Sequence, residues 1–301
     1  MLVIGSRGSK LALWQAHHIQ ARLEELGQPS RIEVITTSGD RFQSGPLKEI
    51  GNKGLFTKEI EEALLDRRID VAVHSLKDMP ADLPNGLIIA ATPVREDARD
   101  AMVGSRLADV PSGGKIGTGS LRRMAQIRAA RPDITVEPVR GNVDTRLRKL
   151  DERQFDAIVL ASAGLRRLGW EERIAEYLSP DIMCPAVGQG SLAIETRIAD
   201  EAHDICAALN DPATRAAVTA ERALLNVLGG SCQVPVGAHA VVESESLNLL
   251  AVVISPDGST VVRREARGTV QSAAELGERM GLELLNAGAR EILALVHGHA
   301  G

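Results

Sequence analysis

The chain has 301 residues, of which 44% are hydrophobic and 25% charged, and its formal net charge is −5. At roughly 100–200 residues per domain this length predicts two or three domains, and the composition excludes a disordered or fibrous chain. The net charge provides no general attraction to nucleic acid or to an anionic membrane surface.

The first 95 residues alternate short β-rich runs with helical patterns. Ser9 is placed to cap a helix in which apolar residues recur at helical spacing until Gly27 ends it. A second helical pattern covers residues 56–65. Strands are predicted at 2–4, 32–35, 71–73 and 87–91. Strands separated by helices of this length predict a parallel sheet with crossover connections.

A second set of similar units follows residues 95–100, which we interpret as a charged connector. Its predicted strands and helices cover 115–117, 121–130, 134–136, 143–152 and 157–161. Residues 180–190 are rich in Pro and Gly and predict a linker, after which residues 191–208 return to the first domain.

The last third of the chain has a different pattern. A predicted helix over 213–228 precedes three β-rich runs, and a second predicted helix covers 273–296. The three runs are 236–242, 247–254 and 260–266, with Pro256-Asp257-Gly258 as a turn between the last two. Adjacent strands joined by a tight turn predict an antiparallel sheet.

The predicted fold class is therefore α/β, with two α/β domains of mainly parallel sheet and a small α+β carboxy-terminal domain. We expect the first domain to cover residues 1–95 and 191–208, the second 99–185 and the third 213–301. No apolar run approaches 20 residues and the first residues contain no secretory h-region, so a cytoplasmic protein without a membrane helix is expected.

The basic residues are unusually rich in arginine, with 28 Arg against 7 Lys. Residues 115–173 contain 13 basic and 8 acidic residues, a local net charge of +5 in an acidic protein. Arginine binds carboxylate or phosphate through two parallel hydrogen bonds, which favours an anionic ligand. For any single arginine, a solvated helix face is the competing interpretation. Only six aromatic residues occur, too few for the stacking platforms of a single-stranded nucleic-acid groove.

Three stretches place arginines where a strand leads into a helix. They are Arg7-Gly8-Ser9, the segment Ile116–Arg123 and the segment Arg140–Arg146. A helix amino terminus offers free N–H groups and a positive dipole end, so an anion can bind there. Ser9 is also explained as a plain helix cap that needs no ligand. With Arg167, the two later helix starts are predicted to line one cleft.

Two further stretches contain groups suited to covalent or proton chemistry. Asp78 follows a buried strand and stands beside Lys77, where a carboxylate can share a proton next to a fixed cation. The competing interpretation of Asp78 is a turn residue before Pro80. Cys232 lies in a glycine-containing loop, and an accessible thiol is suited to covalent chemistry. Cys184 is the second candidate, and Cys206 lies in an apolar helical pattern. The three cysteines lack the spacing of a disulfide framework or zinc site.

Taken together, these stretches resemble the porphobilinogen deaminase family. Ten motifs occur in order between residue 7 and about residue 237: RGS before LALWQA, TSGD, GNKGLFTKE, AVHSLKDMP, REDARDA, GTGSLRR, RGNVDTRL, LASAGLRRLG, PAVGQG and GGSCQVPVG. The resemblance implies a transferase that condenses four porphobilinogen molecules head to tail into hydroxymethylbilane, with release of ammonia. It also implies two α/β domains like those of periplasmic binding proteins, and a third domain that carries the cofactor cysteine.

The resemblance further implies a dipyrromethane cofactor joined to Cys232 by a thioether, and Asp78 as the residue that handles protons at the pyrrole nitrogens. The implied cofactor ligands are Lys77, Thr118, Ser120, Arg122, Arg123 and Arg146. The implied substrate ligands are Arg7, Ser9, Lys53, Phe56, Arg140 and Arg167. No metal, nucleic acid, membrane or obligate protein partner is expected, and the substrate is a small molecule.

Three positions depart from the family pattern. Gly119 stands where a serine is common, Glu49 stands where a lysine is common beside Lys48, and Asp144 replaces a small residue. A competing function is that of a solute-binding or effector-sensing module, because an arginine-lined α/β cleft also suits a free dicarboxylate. Such a module has no use for Cys232 in a glycine loop.

Overall fold

The computed structural model describes residues 1–41, 55–229 and 234–298. The chain divides into two compact units, Met1–Glu96 with Ser191–Arg215, and Asp97–Gly190 with Ala216–Gly301. The division into three domains stays a prediction. Lys53 and Cys232, together with Lys48 and Glu49, lie outside the described residues.

Thirteen strands are present in the described part of the chain. In chain order they are β1 (Leu2–Ser6), β2 (Ser30–Val34), β3 (Val71–Ser75), β4 (Leu87–Ala91), β5 (Asp100–Val103), β6 (Lys115–Gly117), β7 (Thr135–Glu137), β8 (Ala157–Ala161), β9 (Ile174–Tyr177), β10 (Leu192–Arg197), β11 (Val236–Glu243), β12 (Ser246–Ile254) and β13 (Val261–Thr269).

Ten α-helices accompany these strands in the same described ranges. They are α1 (Lys10–Glu25), α2 (Ser38–Arg41), α3 (Lys58–Leu65), α4 (Leu121–Ala130), α5 (Val143–Asp151), α6 (Ser162–Arg167), α7 (Glu201–Ala207), α8 (Pro212–Val227), α9 (Ala273–Leu284) and α10 (Arg290–Gly298). None of the described helices is long and apolar enough to cross a membrane.

The first unit is built on one mixed sheet with the strand order β2-β1-β3-β10-β4. The first three of these strands are parallel, and β10 runs antiparallel to both of its neighbours. Strand β10, which lies within residues 191–208, is therefore part of the sheet of the first unit. Helix α1 buries Ala16, Ile19 and Leu23 against this sheet, because these positions share one face at helical spacing.

The second unit contains a sheet with the order β7-β6-β8-β5-β9. Strand β6 is parallel to β7 and β8, whereas β5 is antiparallel to β8. The strands β11, β12 and β13 form a separate antiparallel sheet in the same unit. The predicted α/β fold class is therefore confirmed, with two mainly parallel sheets and a small antiparallel one.

The antiparallel sheet packs against α8 and α9. Their shared core includes Ala220, Leu224, Leu249 and Leu276. A Cβ atom at Gly277 would overlap the carbonyl oxygen of Ala220, so glycine allows these two helices to approach closely. Burial of this apolar face gives the carboxy-terminal region a hydrophobic core of its own.

Two predictions about secondary structure differ from the structure at particular residues. Residues 95–99 form neither helix nor strand, as a connector requires, but Asp100 is the first residue of β5 and is completely buried. The closing helix predicted over 273–296 is interrupted at Leu285–Ala289, where Gly288 has a φ of +107°. Only glycine adopts that backbone conformation at little cost, so this residue separates α9 from α10.

Candidate functional site

An open pocket lies in the first unit, where β1 and β3 end and α1 begins. Ligands commonly bind outside the carboxyl ends of parallel strands, and this pocket has that position. Its lining contains four of the predicted site residues, which are Arg7, Ser9, Phe56 and Asp78. The other lining residues are Leu11, Ala12, Gln15, Thr57, Val73, His74 and Ser75.

Arg7 is held in this pocket by two different contacts. Its Nη2 donates to Oδ1 of Asp40 over 2.6 Å and its Nε donates to the same oxygen over 3.1 Å. Its guanidinium carbon lies 4.1 Å from the centre of the Phe56 ring. The carboxylate and the aromatic face together fix the orientation of the guanidinium.

The sequence interpretation did not assign a role to Asp40, which lies on the short helix α2. Burial alone would raise the pKa of Asp40, but hydrogen bonds from Arg7 and Thr37 outweigh burial and lower that pKa. A Cβ atom at Gly39 would overlap the Phe56 ring, so glycine is needed where α2 meets this ring. Asp40 thus holds the Arg7 guanidinium, and the lack of a side chain at Gly39 leaves room for the Phe56 ring.

Asp78 is positioned by the end of β3. The buried strand passes into one short turn, Leu76–Asp78, in which Leu76 is buried and Asp78 is exposed. Two hydrogen bonds hold this strand end: the Leu76 amide donates to the Ser191 carbonyl over 3.0 Å, and Gln15 donates to the Ser75 hydroxyl over 2.8 Å. The Asp78 carboxylate is therefore presented to the pocket by an anchored backbone.

Ser9 caps α1, since its hydroxyl accepts a hydrogen bond of 3.3 Å from the Ala12 amide. This is the plain structural role considered for it from the sequence. Ser9 also lines the pocket, so its position satisfies both interpretations. Lys77 is half-buried in the turn that precedes Asp78.

The second unit contains a buried cluster around Asp100. Nη1 of Arg122 donates to Oδ2 of this carboxylate over 2.7 Å, and Nε of Arg123 donates to Oδ1 over 2.9 Å. The exposed fractions are 4% for Arg122, 6% for Arg123 and 0% for Asp100. Burial raises the pKa of Asp100, but the two guanidinium charges outweigh it and lower the pKa to about 2. Asp100 is therefore a permanent counterion for two predicted cofactor ligands.

The segment Cys184–Gly190 closes this cluster from the other side. The carbonyl of Cys184 accepts from Arg122, and the carbonyl of Gly190 accepts a 2.7 Å hydrogen bond from Nη2 of Arg167. The side-chain amide of Gln189 donates from Nε2 to Oδ1 of Asp100 over 2.9 Å. The structure thus brings three predicted arginines to one buried framework. The sequence interpretation assigned this segment as a linker with a candidate cysteine and a family motif, and did not predict that it binds the arginines.

The remaining predicted residues of the second unit lie at two helix starts. Ser120 caps α4 by accepting from the Arg123 amide, and Thr118 is completely buried beside it. Arg146 donates from Nε to the Gly141 carbonyl over 2.7 Å, and Arg140 is exposed. Gly119 is exposed, and a Cβ atom there would lie 3.0 Å from the Val139 carbonyl oxygen.

The described cysteines have poorly reactive surroundings. Cys184 and Cys206 are both completely buried, and burial raises the pKa of each thiol to about 12. Since the thiolate is the nucleophile, neither residue is suited to covalent chemistry. Within the described ranges there is no cluster of His, Cys, Asp and Glu that could hold a metal ion.

An α/β protein in which one open pocket combines a carboxylate, a guanidinium and an aromatic ring has the features of a small-molecule site. Two family models match the chain in succession. The model described as "Porphobilinogen deaminase, dipyromethane cofactor binding domain" matches residues 2–204, and the model described as "Porphobilinogen deaminase, C-terminal domain" matches residues 215–286. The chain belongs to the porphobilinogen deaminase family, which confirms the resemblance found in its motifs.

Curated relatives extend over nearly the whole chain. The porphobilinogen deaminase of Chromobacterium violaceum is 52% identical and that of Syntrophobacter fumaroxidans is 50% identical. Each match covers 98% of this chain and 97% of the relative.

Among solved structures, the chain is similar to a periplasmic substrate-binding protein of an ABC transporter from Coxiella burnetii. The TM-score is 0.44 at 11% identity, covering 74% of this chain and 97% of that one. The VFT2 domain of Bordetella pertussis BvgS gives a TM-score of 0.39 at 16% identity, covering 68% and 83%.

Proposed function

We propose that this chain joins four porphobilinogen molecules head to tail into hydroxymethylbilane and releases one ammonia with each condensation. The observation that carries the proposal is the pocket in which the exposed carboxylate of Asp78 and the guanidinium of Arg7 line one cavity. Porphobilinogen has two carboxylates and an aminomethyl group, so it requires a cation for binding and develops positive charge as ammonia leaves.

Asp78 is the residue we assign to the reacting centre. Loss of ammonia leaves a cation on the pyrrole, and a carboxylate already in place stabilises this charge without reorganisation. The anchored strand end at Leu76 supports this role, because electrostatic stabilisation depends on a fixed position. Arg7 and Phe56 form a cationic and an aromatic surface that suits the substrate's carboxylate and its flat ring.

The buried arginines of the second unit fit a ligand with several carboxylates. The described contacts of Arg122 with Asp100 and with the Cys184 carbonyl both use Nη1, one of its three nitrogens. A guanidinium held through one nitrogen is oriented and can still donate to an acetate or propionate group. When bound, the dipyrromethane supplies the pyrrole carbon to which the first porphobilinogen is joined.

The other predicted ligands are assigned by their position in the family motifs. We assign Lys77, Thr118, Ser120, Arg123 and Arg146 to the cofactor, and Ser9, Lys53, Arg140 and Arg167 to the substrate. We also propose a cytoplasmic location and the three-domain division into 1–95 with 191–208, 99–185 and 213–301.

We assign the thioether to Cys232. The buried state and high thiol pKa of Cys184 and Cys206 support this choice by disfavouring both alternatives. The test is the intact mass of the purified protein, which should exceed the mass of the chain by one linked two-pyrrole unit. Cys232→Ser should lose this added mass, whereas Cys206→Ala is the matched control and should retain it.

The same measurement separates the enzyme from a solute-binding module. A binding module has the mass of the bare chain even after incubation with porphobilinogen, and releases no ammonia. A bare mass for the wild-type protein would therefore overturn the proposed function, and an added mass that persists in Cys232→Ser would overturn the choice of cysteine.

A further inference from the structure

Three titratable side chains are buried together behind the pocket of the first unit. His74 is on β3, four residues before Asp78, and lines the pocket. Its Nε2 lies 3.0 Å from Oε2 of Glu195 on β10, and the exposed fractions of the two residues are 6% and 0%. Glu61 on α3 is the third member, with an exposed fraction of 7%. Helix α3 packs on β3 and β10, and the Glu61 carboxyl group is close enough to His74 and Glu195 for both to influence its pKa.

The hydrogen bonding of this cluster is incomplete. Within the described part of the chain, Oε1 of Glu195 and Oε1 of Glu61 are buried and have no hydrogen-bond partner. Burial raises the pKa of Glu61, and the neighbouring Glu195 carboxylate raises it further. Both effects disfavour the charged form of Glu61, since two buried carboxylates at short distance do not both ionise readily.

The contact with Glu195 determines which nitrogen of His74 is basic. A carboxylate only accepts hydrogen bonds, so Nε2 of the neutral imidazole carries the hydrogen and Nδ1 is left as the acceptor. When Nδ1 takes a proton, Nε2 of the resulting imidazolium keeps its hydrogen bond to the Glu195 carboxyl group. This is the arrangement in which a carboxylate orients a histidine base.

The charged groups on the surrounding elements are mostly paired or point away. On α3, Glu62 is exposed; at the end of β10, Arg197 is bonded to Asp70 and Asp200. Arg7, which lines the pocket, is paired with Asp40, and Asp78 follows Lys77 in the turn after β3. Among the described residues that line the pocket, Asp78 is the one carboxylate.

We propose that His74, oriented by Glu195, accepts the proton that is released within the pocket in each condensation cycle. This inference rests on the proposed function. In each cycle the C–N bond of the protonated aminomethyl group breaks, and its electron pair leaves with the nitrogen as ammonia. A C–C bond then forms to the α-carbon of the terminal pyrrole, whose C–H bond breaks. The proton from that carbon goes to Nδ1 of His74 and then to ammonia, which departs as ammonium and resets the imidazole.

Separate roles for His74 and Asp78 explain why two ionisable residues occur four positions apart where β3 ends. Asp78 must keep its charge while the cation develops, so it cannot also hold the released proton at that moment. His74 provides a separate acceptor behind it, and the buried carboxylate of Glu195 keeps the protonated form in place. His74 is therefore a proton-transfer and positioning residue that serves the pocket beside Asp78.

The test is the pH dependence of turnover in the holoenzyme. His74→Gln retains a donor for Glu195 but cannot take up a proton, so kcat should fall about 10²–10⁴-fold with KM changed less than about threefold. The acid limb of the kcat profile should disappear in this variant. His17→Gln is the matched control, because His17 is exposed on α1, and its profile should equal that of the wild type.

Glu195→Gln provides the second variant if His74→Gln does not fold. The imidazolium loses its buried counterion, so the acid limb should move to lower pH while the added cofactor mass is retained. If His74 and Glu195 had only a structural role, the two substitutions would lower the midpoint of unfolding. The acid limb of the kcat profile would then stay at the pH of the wild type. An unmoved limb in both variants would overturn the inference. Absence of ammonia release by the wild type would instead overturn the proposed function.

Discussion

Two predicted arginine sites, one in each unit of the protein, are arranged differently. In the first unit, Arg7 pairs with Asp40 in an open pocket, and each side chain is 19% exposed. In the second unit, Arg122 and Arg123 share Asp100, and none of the three side chains is more than 7% exposed.

This difference indicates that the open pocket is suited to reacting substrates and that the buried cluster is suited to holding a ligand in place. A partly exposed pair exchanges contacts with water and substrate at low cost, because solvent compensates for each contact that is lost. A buried ion pair has a high desolvation cost that only close, hydrogen-bonded geometry offsets, so its geometry is fixed before a ligand arrives. The open pocket suits successive substrates, whereas the buried framework suits a cofactor that stays bound.

Removal of the Asp78 charge should have the largest effect on catalysis. We expect Asp78→Asn to lower kcat about 10²–10³-fold, since the pyrrole cation loses its electrostatic stabilisation. The added cofactor mass should be unchanged, because the arginines of the second unit are untouched. Initial rates of ammonia release measure the effect, with the exposed Asp82→Asn as the matched control. Near-normal rates in Asp78→Asn would remove this residue from the reacting centre.

Removal of the Asp100 charge should mainly affect stability. Asp100→Asn leaves two guanidinium groups buried without their shared carboxylate, which is expected to cost about 3–5 kcal/mol of unfolding free energy. Urea denaturation of the isolated variant measures this loss. Asp133→Asn is the control, because Asp133 pairs with Arg131 at the surface and its loss should scarcely change the midpoint. Equal midpoints for the two variants would contradict the contrast between buried and exposed pairs.

The same carboxylate predicts how stability depends on pH. The pKa of Asp100 is lowered from 3.8 to about 2 by Arg122 and Arg123. A lowered pKa in the folded state stabilises the protein above the unfolded pKa, and this contribution is lost as the pH falls from about 4 to about 2. This difference between the two pKa values corresponds to about 2 kcal/mol of unfolding free energy. Across this pH range, the plot of unfolding free energy against pH should have a different slope in the wild type and in Asp100→Asn. Parallel plots would contradict Asp100 as the origin of the pH dependence.

Local chemistry explains which parts of the site could be predicted from the sequence. The cap at Ser9 was identifiable because a cap depends on residues within one helical turn. The strand end that presents Asp78 was identifiable because a buried apolar run stops at a turn before Pro80. The antiparallel strands near the carboxy terminus followed from their turn residues for the same reason.

The supporting carboxylates could not be predicted, because each is paired with a residue that is distant in the sequence. Asp100 meets Arg122 across 22 positions, and Glu195 meets His74 across 121 positions. The adjacent arginines at the start of α4 were the available signal, since two like charges at a positive helix end require a counterion. That signal indicates a partner but does not distinguish a ligand from a buried aspartate such as Asp100.

The smallest predicted effects concern the two helix caps and separate capping from ligand binding. Ser9→Ala and Ser120→Ala should each cost about 1 kcal/mol of unfolding free energy, because each removes one cap hydrogen bond. Since Ser9 lines the open pocket, its variant should also raise the KM for porphobilinogen several-fold. Ser120→Ala should leave that KM unchanged and slow cofactor attachment instead. Equal kinetic effects in both variants would show that the two helix starts do not divide substrate and cofactor between them.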